Sequence, residues 1–292
     1  MRPIFAPGLA PAAPLDRHPV WLKAFAYALA IVVSVICLYP YYWMLVSAFR
    51  SSQDILASPL RLWPEHISLQ VFEDMASIGG TPLWRYALNS VLITTASTVV
   101  GILVTALGAY ALVRRPDFWC FKLLRMGFMV TIMYPYMLLV IPVYIVLFKI
   151  GLLGTYSGIV LFLALGPIQF FLFEQFFKTI PKSVIEAAII DGANEAQILF
   201  SVVLPLATPV VATASIITFL LNWAQWLPVL VISKSPDTYT LPVALMNLNG
   251  ELGVNFQGIM ALSVLTTIPV TLFFLIAQKR VMSGMTAGAV KG

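Results

Sequence analysis

Charged residues are scarce in this chain. Asp, Glu, Lys and Arg together make up 10% of its 292 residues, whereas hydrophobic residues make up 60%. A water-soluble domain usually carries about 25% charged residues. The deficit leaves too little polar surface to cover a globule of this size, so the sequence predicts a protein whose apolar surface faces lipid.

Cysteine and histidine are also few, and each stands alone. Cys37 and Cys120 lie in different segments, and His18 and His66 are equally isolated. This spacing excludes a disulfide framework and a metal site. The net charge of +5 comes from basic residues scattered over loops, so nucleic-acid binding is not expected. The sequence has no GxxxxGK pattern to hold nucleotide phosphates, and we expect neither catalytic residues nor enzymatic activity.

Long apolar runs dominate the rest of the chain. A helix needs about 20 residues to cross roughly 30 Å of hydrocarbon. The first run is longer than the apolar core of about 7–15 residues in a cleaved secretory signal, so we interpret it as a retained span. The sequence therefore predicts an all-α membrane protein with six transmembrane helices, at about 24–49, 86–113, 126–148, 156–177, 208–232 and 258–277.

Prolines inside these runs predict kinks, which suit either a pathway that opens and closes or simple packing geometry. They are Pro40, Pro135, Pro142, Pro167, Pro228 and Pro269.

Basic residues are distributed unequally between the two sides of the membrane. With six spans both termini lie on one side, which collects twelve of the 17 Lys and Arg residues, against five on the other. Loops rich in Lys and Arg face the cytoplasm, so we expect both termini in the cytoplasm and the protein in the plasma (inner) membrane. The expected divisions are a disordered cytoplasmic tail (1–19), the first transmembrane helix with an extracytoplasmic loop (20–83), a core of five transmembrane helices with a cytoplasmic loop at 181–205 (84–282), and a cytoplasmic C-terminal tail (283–292).

Ionisable side chains are almost absent from the predicted spans. Proton- and ion-coupled transporters generally need buried charges, so a secondary transporter is disfavoured. A membrane-embedded enzyme would need acidic pairs or His clusters in a span and is disfavoured for the same reason. The best exception, Glu174, lies four residues before Lys178, which predicts a helical ion pair. Energy for transport is therefore expected to come from outside this chain.

The segment at 181–205 is neither a tight turn nor a polar linker. It reads PKSVIEAAIIDGANEAQILFSVVLP. Ser183 followed by Glu186 predicts a capping box and a helix that begins at Ser183. Gly192 is expected to end that helix in the left-handed conformation, and a second amphipathic stretch follows at 194–203. Two short helices at an angle would form a rigid knob, suited to docking in a partner's groove and passing force to the spans.

Small and acidic residues recur in this segment at a specific spacing. The pattern is Glu186-Ala187-Ala188, then Gly192, then Val202 and Leu204-Pro205. It resembles the EAA loop of binding-protein-dependent ABC importers, in which the loop is the coupling helix that fits a cleft in the ATP-binding subunit. The resemblance implies ATPase-coupling roles for Glu186, Ala187, Ala188, Asp191 and Gly192.

Two further stretches are similar to the carbohydrate-uptake branch of that family. Residues 154–158 (GTYSG) and 284–292 (GMTAGAVKG) resemble the smaller permease of maltose-type systems. The resemblance runs from about the first span to the last residue and implies a type I importer permease fold whose tail reaches toward the ATPase interface. In the fifth span the chain departs from the family, with Trp223-Ala224-Gln225-Trp226 in place of Trp-Asn-acidic-aromatic.

The fifth predicted span also carries a polar stripe at helical spacing. Neutral hydrogen-bonding groups beside aromatic rings suit a sugar, because its hydroxyls need partners and its C–H faces stack on indole. The alternative is that these side chains bond between helices, as small polar residues in membranes often do. The candidates for the translocation path are Ser215, Thr218, Asn222 and Gln225, flanked by Trp223 and Trp226.

A polar, glycine-rich stretch follows at 246–257. In the resembling family this outer loop probes the cleft of the solute-binding protein, and an ordinary connecting loop is the alternative. The resemblance implies binding-protein contacts from Asn247, Asn249, Gly250, Glu251 and Asn255.

The resemblance also implies the partners. They are a second homologous permease, two ATP-binding subunits, an extracytoplasmic solute-binding protein and membrane lipid. ATP and Mg would be held by the partner subunits, with no cofactor in this chain. The solute would be a carbohydrate or carbohydrate-like molecule; an oligosaccharide, polyol, sugar acid or glycerol phosphate ester all fit, and the scarcity of buried Arg or Lys favours a neutral sugar.

Overall fold

The computed structural model describes residues 19–248 and 255–289, and helices account for nearly all of their regular structure. A two-stranded antiparallel hairpin, β1 (Ser77–Ile78) and β2 (Thr81–Pro82), precedes the longest buried helix. The helices are α1 (Val20–Ser47), α2 (Ser52–Ala57), α3 (Gln70–Asp74), α4 (Leu83–Arg114), α5 (Trp119–Met133), α6 (Val140–Lys149), α7 (Tyr156–Ala164), α8 (Pro167–Lys178), α9 (Lys182–Ile190), α10 (Glu195–Gln197), α11 (Leu204–Leu206), α12 (Thr208–Trp223), α13 (Leu227–Ile232), α14 (Leu241–Asn247) and α15 (Phe256–Ala289). Short 3₁₀ turns lie at Tyr136–Leu139 and Pro236–Thr238, and a π-helical stretch at Ile198–Val203 joins α10 to α11.

Three of these helices are long and apolar enough to cross a membrane unbroken: α1, α4 and the part of α15 up to Ala277. Three further candidates are pairs of shorter helices bent at a break, by 115° at α5–α6, 47° at α7–α8 and 78° at the join to α12. The described residues thus provide three candidate spans, or up to six if each bent pair forms one span. The prediction of a helical membrane protein is confirmed.

Proline accounts for two of the bends. Tyr134 is extended (ψ 138°) immediately before Pro135, so α5 ends at Met133 instead of continuing through the predicted run at 126–148. The residue before a proline is disfavoured in the helical region because the ring crowds it. Gly166 is likewise extended (ψ 124°) before Pro167, which opens α8.

The predicted single helix at 208–232 is wrong, because α12 ends at Trp223 and α13 begins only at Leu227. Pro228 lies near the start of α13, where it has no N–H for the carbonyl of Ala224 and its ring would clash with that carbonyl in a continuous helix. Prolines do not always interrupt a span, however. Pro40 and Pro269 lie inside α1 and α15, and both helices continue past them.

Helix α4 is the centre of the fold. It packs against α7, α8 and α12, while α12 packs against α15, which is the main partner of α1. Small polar side chains let α4 approach its neighbours closely, as is usual between membrane helices. The buried polar residues of α4 are Asn89, Ser90, Thr94, Ser97, Thr98 and Thr105.

The two expected terminal tails compare differently with the structure. Helix α15 runs to Ala289, so most of the expected C-terminal tail at 283–292 is helical. The expected N-terminal tail, apart from residue 19, lies outside the described residues, as do residues 249–254 of the outer loop.

Candidate functional site

The segment at 181–205 forms two helical pieces, as expected, but its first helix is capped differently from the prediction. Helix α9 begins at Lys182 with Pro181 in the N-cap position, and no side chain caps it. The predicted capping box of Ser183 and Glu186 is wrong, because Ser183 already lies within the first helical turn. Proline suits this boundary because its ring holds φ near the helical value (−59°) and it has no N–H that needs a partner, while its ψ of 135° keeps it outside the helix.

The end of α9 is confirmed at Gly192, which has a φ of +82°. Two backbone hydrogen bonds close the turn there: Gly192 N donates to Ile189 O, and Ala193 N donates to Ala188 O, both at 3.0 Å. This pair of bonds is the Schellman motif, which needs a left-handed residue at the position of Gly192. No other atom would lie within 4 Å of an added Cβ at Gly192, so the requirement for glycine is conformational.

A capping box does exist in this segment, at the start of the second piece. Asn194 Oδ1 accepts from Gln197 N at 2.9 Å, and Gln197 Oε1 accepts from Asn194 N at 2.8 Å. The Asn-x-x-Gln spacing could have identified it in the sequence. Both ends of the turn between the two pieces are therefore fixed by hydrogen bonds, which makes the turn a rigid element.

The candidate coupling residues lie on α9 and in the turn that follows it. Glu186, Ala187, Asp191 and Gly192 are exposed, while Ala188 is half-buried against the apolar core. Two apolar side chains that sequence reasoning missed share this exposed region: Ile189 is 50% exposed and Ile190 is 85% exposed. The apolar surface at the end of α9 has no cover among the described residues.

The second piece is held to the membrane helices by apolar and ionic contacts. Ile198 and Leu199 are buried in a cluster with Phe173 of α8. Glu195 accepts hydrogen bonds from Arg114, at the end of α4, and this pairing lowers the pKa of its carboxyl below the ordinary value.

A cavity of about 430 Å³ lies between α5, α8 and α12, which belong to the candidate spans. Its polar lining includes Thr131, Gln169, Thr218, Asn222 and Gln225, and no charged side chain of the described residues lines it. Three of the predicted path residues, Thr218, Asn222 and Gln225, thus meet in one cavity.

The other three path candidates lie elsewhere. Ser215 is half-buried on α12 and does not line the cavity. Trp223 stacks on Phe219 with ring centroids 5.9 Å apart and packs in the cluster of α14 and α15. Trp226 packs against the apolar cluster of α7 and α13. Gln225 follows the end of α12, so the expected stripe on one continuous helix is interrupted.

The alternative interpretation of the polar stripe, bonding between helices, is also realised. Asn222 Nδ2 donates to Ser97 Oγ of α4 at 3.0 Å, and Thr218 Oγ1 donates to Gln169 Oε1 of α8. Both residues therefore line the cavity and bond a neighbouring helix. Their remaining lone pairs and N–H groups are the ones that a solute could use.

Gln169 is a cavity residue that sequence reasoning missed. Its Nε2 donates at 2.8 Å to Ala164 O, a carbonyl at the end of α7 that also accepts from Gly166 N at 3.2 Å. A neighbouring side chain thus satisfies the backbone group released at the bend, as the apolar membrane interior requires. No local pattern marks Gln169, because its partners are set by the bend and by α12.

Glu174 forms the ion pair that its spacing predicts. Its Oε1 lies 2.6 Å from Lys178 Nζ and 3.2 Å from Arg125 Nε of α5, and its side chain is 1% exposed. The carboxylate therefore ties α5 to α8 as a structural group.

The predicted outer contact loop is described only at its edges. Asn247 ends α14, and Asn255 Oδ1 accepts from Gly258 N at 2.9 Å at the start of α15. Asn249, Gly250 and Glu251 lie outside the described residues.

Comparison with known proteins places the site in context. Residues 97–286 match the family model for the inner membrane component of binding-protein-dependent transport systems. The chain is 31% identical to the diacetylchitobiose uptake system permease protein DasC of Streptomyces coelicolor, over 90% of this chain and 95% of that protein. It is 30% identical to the arabinooligosaccharides transport system permease protein AraQ of Halalkalibacterium halodurans (93% and 96% covered). It is 31% identical to the sn-glycerol-3-phosphate transport system permease protein UgpE of Shigella flexneri (93% and 98% covered).

Two solved structures share the fold. A chain of a bacterial ABC transporter that imports the acidic polysaccharide alginate matches with a TM-score of 0.73 at 22% identity, covering 91% of this chain and 99% of that one. A chain of the MetNI methionine ABC transporter in an inward-facing conformation matches with a TM-score of 0.54 at 20% identity, covering 69% and 95%.

Proposed function

Because the chain belongs to the family of inner membrane components of binding-protein-dependent transport systems, we propose that it forms the translocation path of an ATP-driven importer for a carbohydrate or carbohydrate-like solute. In this proposal the segment at 181–205 couples the path to ATPase subunits. The observation that carries it is the exposed, hydrogen-bonded α9 knob. Its Schellman turn at Gly192 fixes the shape, and its end presents uncovered apolar side chains.

The surface of α9 supports the coupling role. A helix that ends in a rigid turn can move as one body when its tip is pulled. Ile190, 85% exposed, would be buried in the groove of an ATPase subunit. Full burial of an Ile side chain stabilises a complex by about 1.5–3 kcal/mol, and Glu186 and Asp191 would add polar contacts at the rim. ATP and Mg would be bound by the ATPase subunits, whose closure would pull α9 and switch the spans between inward- and outward-facing states.

The lining of the cavity and the names of the relatives both favour an oligosaccharide as the solute. Thr218, Asn222 and Gln225 offer neutral hydrogen-bonding groups, and Tyr134 adds an aromatic ring to the lining. A lining without charge suits hydroxyl-rich, neutral molecules better than anions. Two of the relatives are named for oligosaccharides and one for a glycerol phosphate, so an oligosaccharide is the favoured solute.

The membrane arrangement follows from charge. We infer six spans, counting α5–α6 and α7–α8 as one span each and beginning the fifth span at α12. Both termini would lie in the cytoplasm, because that side would then collect twelve of the 17 Lys and Arg residues. The knob then faces the cytoplasm, where ATPase subunits reside. A second homologous permease would complete the path, and a solute-binding protein would deliver the solute on the opposite side near Asn247 and Asn255.

The test is ATP-dependent uptake into vesicles that contain the whole importer. The substitution Ile190→Asp should weaken ATPase association roughly 10- to 100-fold, because it places a charge in the apolar contact. Ser183→Ala, an exposed change on the same helix, is the matched control and should leave uptake unchanged. Uptake by the Ile190→Asp importer at the wild-type rate would refute coupling through α9.

The solute is tested in the same vesicles with labelled diacetylchitobiose, an arabinooligosaccharide and sn-glycerol 3-phosphate. We expect uptake of a neutral oligosaccharide. Uptake of glycerol phosphate alone would contradict the inference from the uncharged cavity.

A further inference from the structure

Glu195 uses both carboxylate oxygens to join the coupling segment to the last turn of α4. Tyr110 Oη donates to Oε2 at 2.7 Å, and Arg114 donates to Oε1 through Nη2 at 2.8 Å and to Oε2 through Nε at 3.2 Å. A two-pronged contact between guanidinium and carboxylate fixes orientation as well as distance. The first residue of α10 is therefore held in one position relative to α4.

This contact bridges a region where the packing is open. A cavity of about 510 Å³ lies between α9 and the ends of α4 and α8, with Tyr110, Arg114, Lys182 and Glu186 in its lining. Ile185 and Ala188 pack α9 against the apolar core beside this space, and both are only partly buried. Glu195 supplies an ion pair that ties the far side of the Gly192 turn to α4 directly.

The other end of this connection reaches the membrane cavity. Tyr110 is 8% exposed and packs edge to face on Phe177 of α8, with ring centroids 6.3 Å apart, so it cannot swing freely. Ser97 lies on the same helix, 17 residues before Arg114 or about 26 Å along its axis. Ser97 bonds Asn222, which lines the membrane cavity.

We propose that Glu195 is a positioning residue that clamps the coupling segment to α4, so that a movement of α9 is transmitted along α4 to the Ser97–Asn222 contact at the solute path. The proposal rests on the proposed function, since it needs an ATPase that moves α9. Without the clamp, α9 still docks but part of its movement is absorbed in the open space beside Arg114. The consequence is loss of coupling rather than loss of assembly.

The experiment measures solute transported per ATP hydrolysed by the whole importer in vesicles of phosphatidylcholine and phosphatidylglycerol. Glu195→Gln keeps the shape of the side chain but removes the ion pair, and Arg114→Gln removes it from the other side. Because both groups are partly exposed, we expect the ratio to fall about three- to tenfold in each variant. Combining the two should cost little more than either alone, because the same contact is lost.

A charge exchange separates a clamp from a general structural role. Glu195→Arg combined with Arg114→Glu restores an ion pair between the same positions and should recover a large part of the ratio, whereas either of these changes alone should not. The control is Asp117→Asn, which removes an acidic group whose side chain is fully exposed just beyond α4 and should leave the ratio unchanged. Copurification of the ATPase subunit shows whether each variant assembles.

The outcomes separate this proposal from the proposed function. ATPase association retained, a lower ratio in Glu195→Gln and recovery in the charge exchange support the clamp. An unchanged ratio in Glu195→Gln overturns it, and so does loss of ATPase association, which would make Glu195 part of the docking surface. Absence of an ATPase from the wild-type complex would refute the proposed function and the clamp together.

Discussion

Gly101 lies where α4 approaches the α7–α8 bend closely, and adding a single methyl group there tests the packing directly. A Cβ at this position would lie 2.4 Å from Ala164 O and 2.6 Å from Gln169 Nε2. Both distances are far below van der Waals contact. The carbonyl belongs to the backbone at the α7–α8 bend and cannot rotate away, so α4 and the bend must separate by about 1 Å.

Three contributions determine how much Gly101→Ala lowers the free energy of unfolding. Overpacking of a well-filled core costs about 1–3 kcal/mol. Disturbing the hydrogen bond from Gln169 to Ala164 O adds about 1 kcal/mol, and the better helix propensity of Ala returns about 1 kcal/mol. We therefore expect Gly101→Ala to destabilise the folded protein by about 1–3 kcal/mol and to disturb the cavity wall that Gln169 forms.

Two other helical glycines provide matched controls for thermal unfolding in detergent. A Cβ at Gly127 meets nothing within 4 Å, and one at Gly108 meets only side chains, the nearest being Leu124 Cδ2 at 3.3 Å. Gly127→Ala should be neutral or slightly stabilising, and Gly108→Ala should cost less than Gly101→Ala. If Gly101→Ala unfolds at the same temperature as Gly127→Ala, the close approach of α4 to the bend is not as described.

Three further predictions concern the other sites. Gly192→Ala should cost about 1–2 kcal/mol because of its φ of +82° and should reduce ATPase copurification, whereas Gly192→Asn should reduce it less, since Asn tolerates that conformation. Asn222→Leu should lower uptake of a neutral oligosaccharide without lowering ATPase copurification, because it removes a polar cavity group and the bond to Ser97. In the loop segment between α1 and α4, a hydrogen bond from fully buried Arg50 lowers the pKa of Asp54. The stabilisation from this pair is therefore present above the ordinary pKa of 3.8 and is lost only as the pH falls through the lowered value. Limited proteolysis of that loop should therefore be unchanged from pH 8 to 5 and increase only in stronger acid, and Arg50→Met should raise it at every pH.

Local patterns in the sequence were enough to predict the long apolar helices and the end of α9 at Gly192. The apolar runs around α1, α4 and α15 are long and unbroken, and length against membrane thickness is enough to identify them. The end of α9 at Gly192 could also be predicted, because a helix followed by glycine commonly ends with that glycine in the left-handed conformation.

Features that depend on residues far apart in the sequence could not be predicted from local patterns. Pro40 and Pro135 look alike in the sequence, yet only Pro135 falls at a break. Gln169 is one polar residue in an apolar run, and only the folded chain brings it against Ala164 and Thr218. The clamp at Glu195 depends on Arg114, 81 positions away in the sequence.

The capping error has a similar origin. The spacing of Ser183 and Glu186 fits a capping box, but Pro181 already occupies the boundary position with an extended backbone. Asn194 and Gln197 satisfy the same rule and do form the box. Motif spacing alone does not say which of two candidates begins a helix.

The most direct test of the central claim is purification of the tagged full-length chain from its own membranes in mild detergent, with mass spectrometry of the companions. We predict recovery of an ATP-binding subunit and a second permease, with the ATP-binding subunit lost from the Ile190→Asp chain. Recovery of this chain alone, in a stable form that transports solute after reconstitution without ATP, would contradict the account and identify it as a secondary transporter.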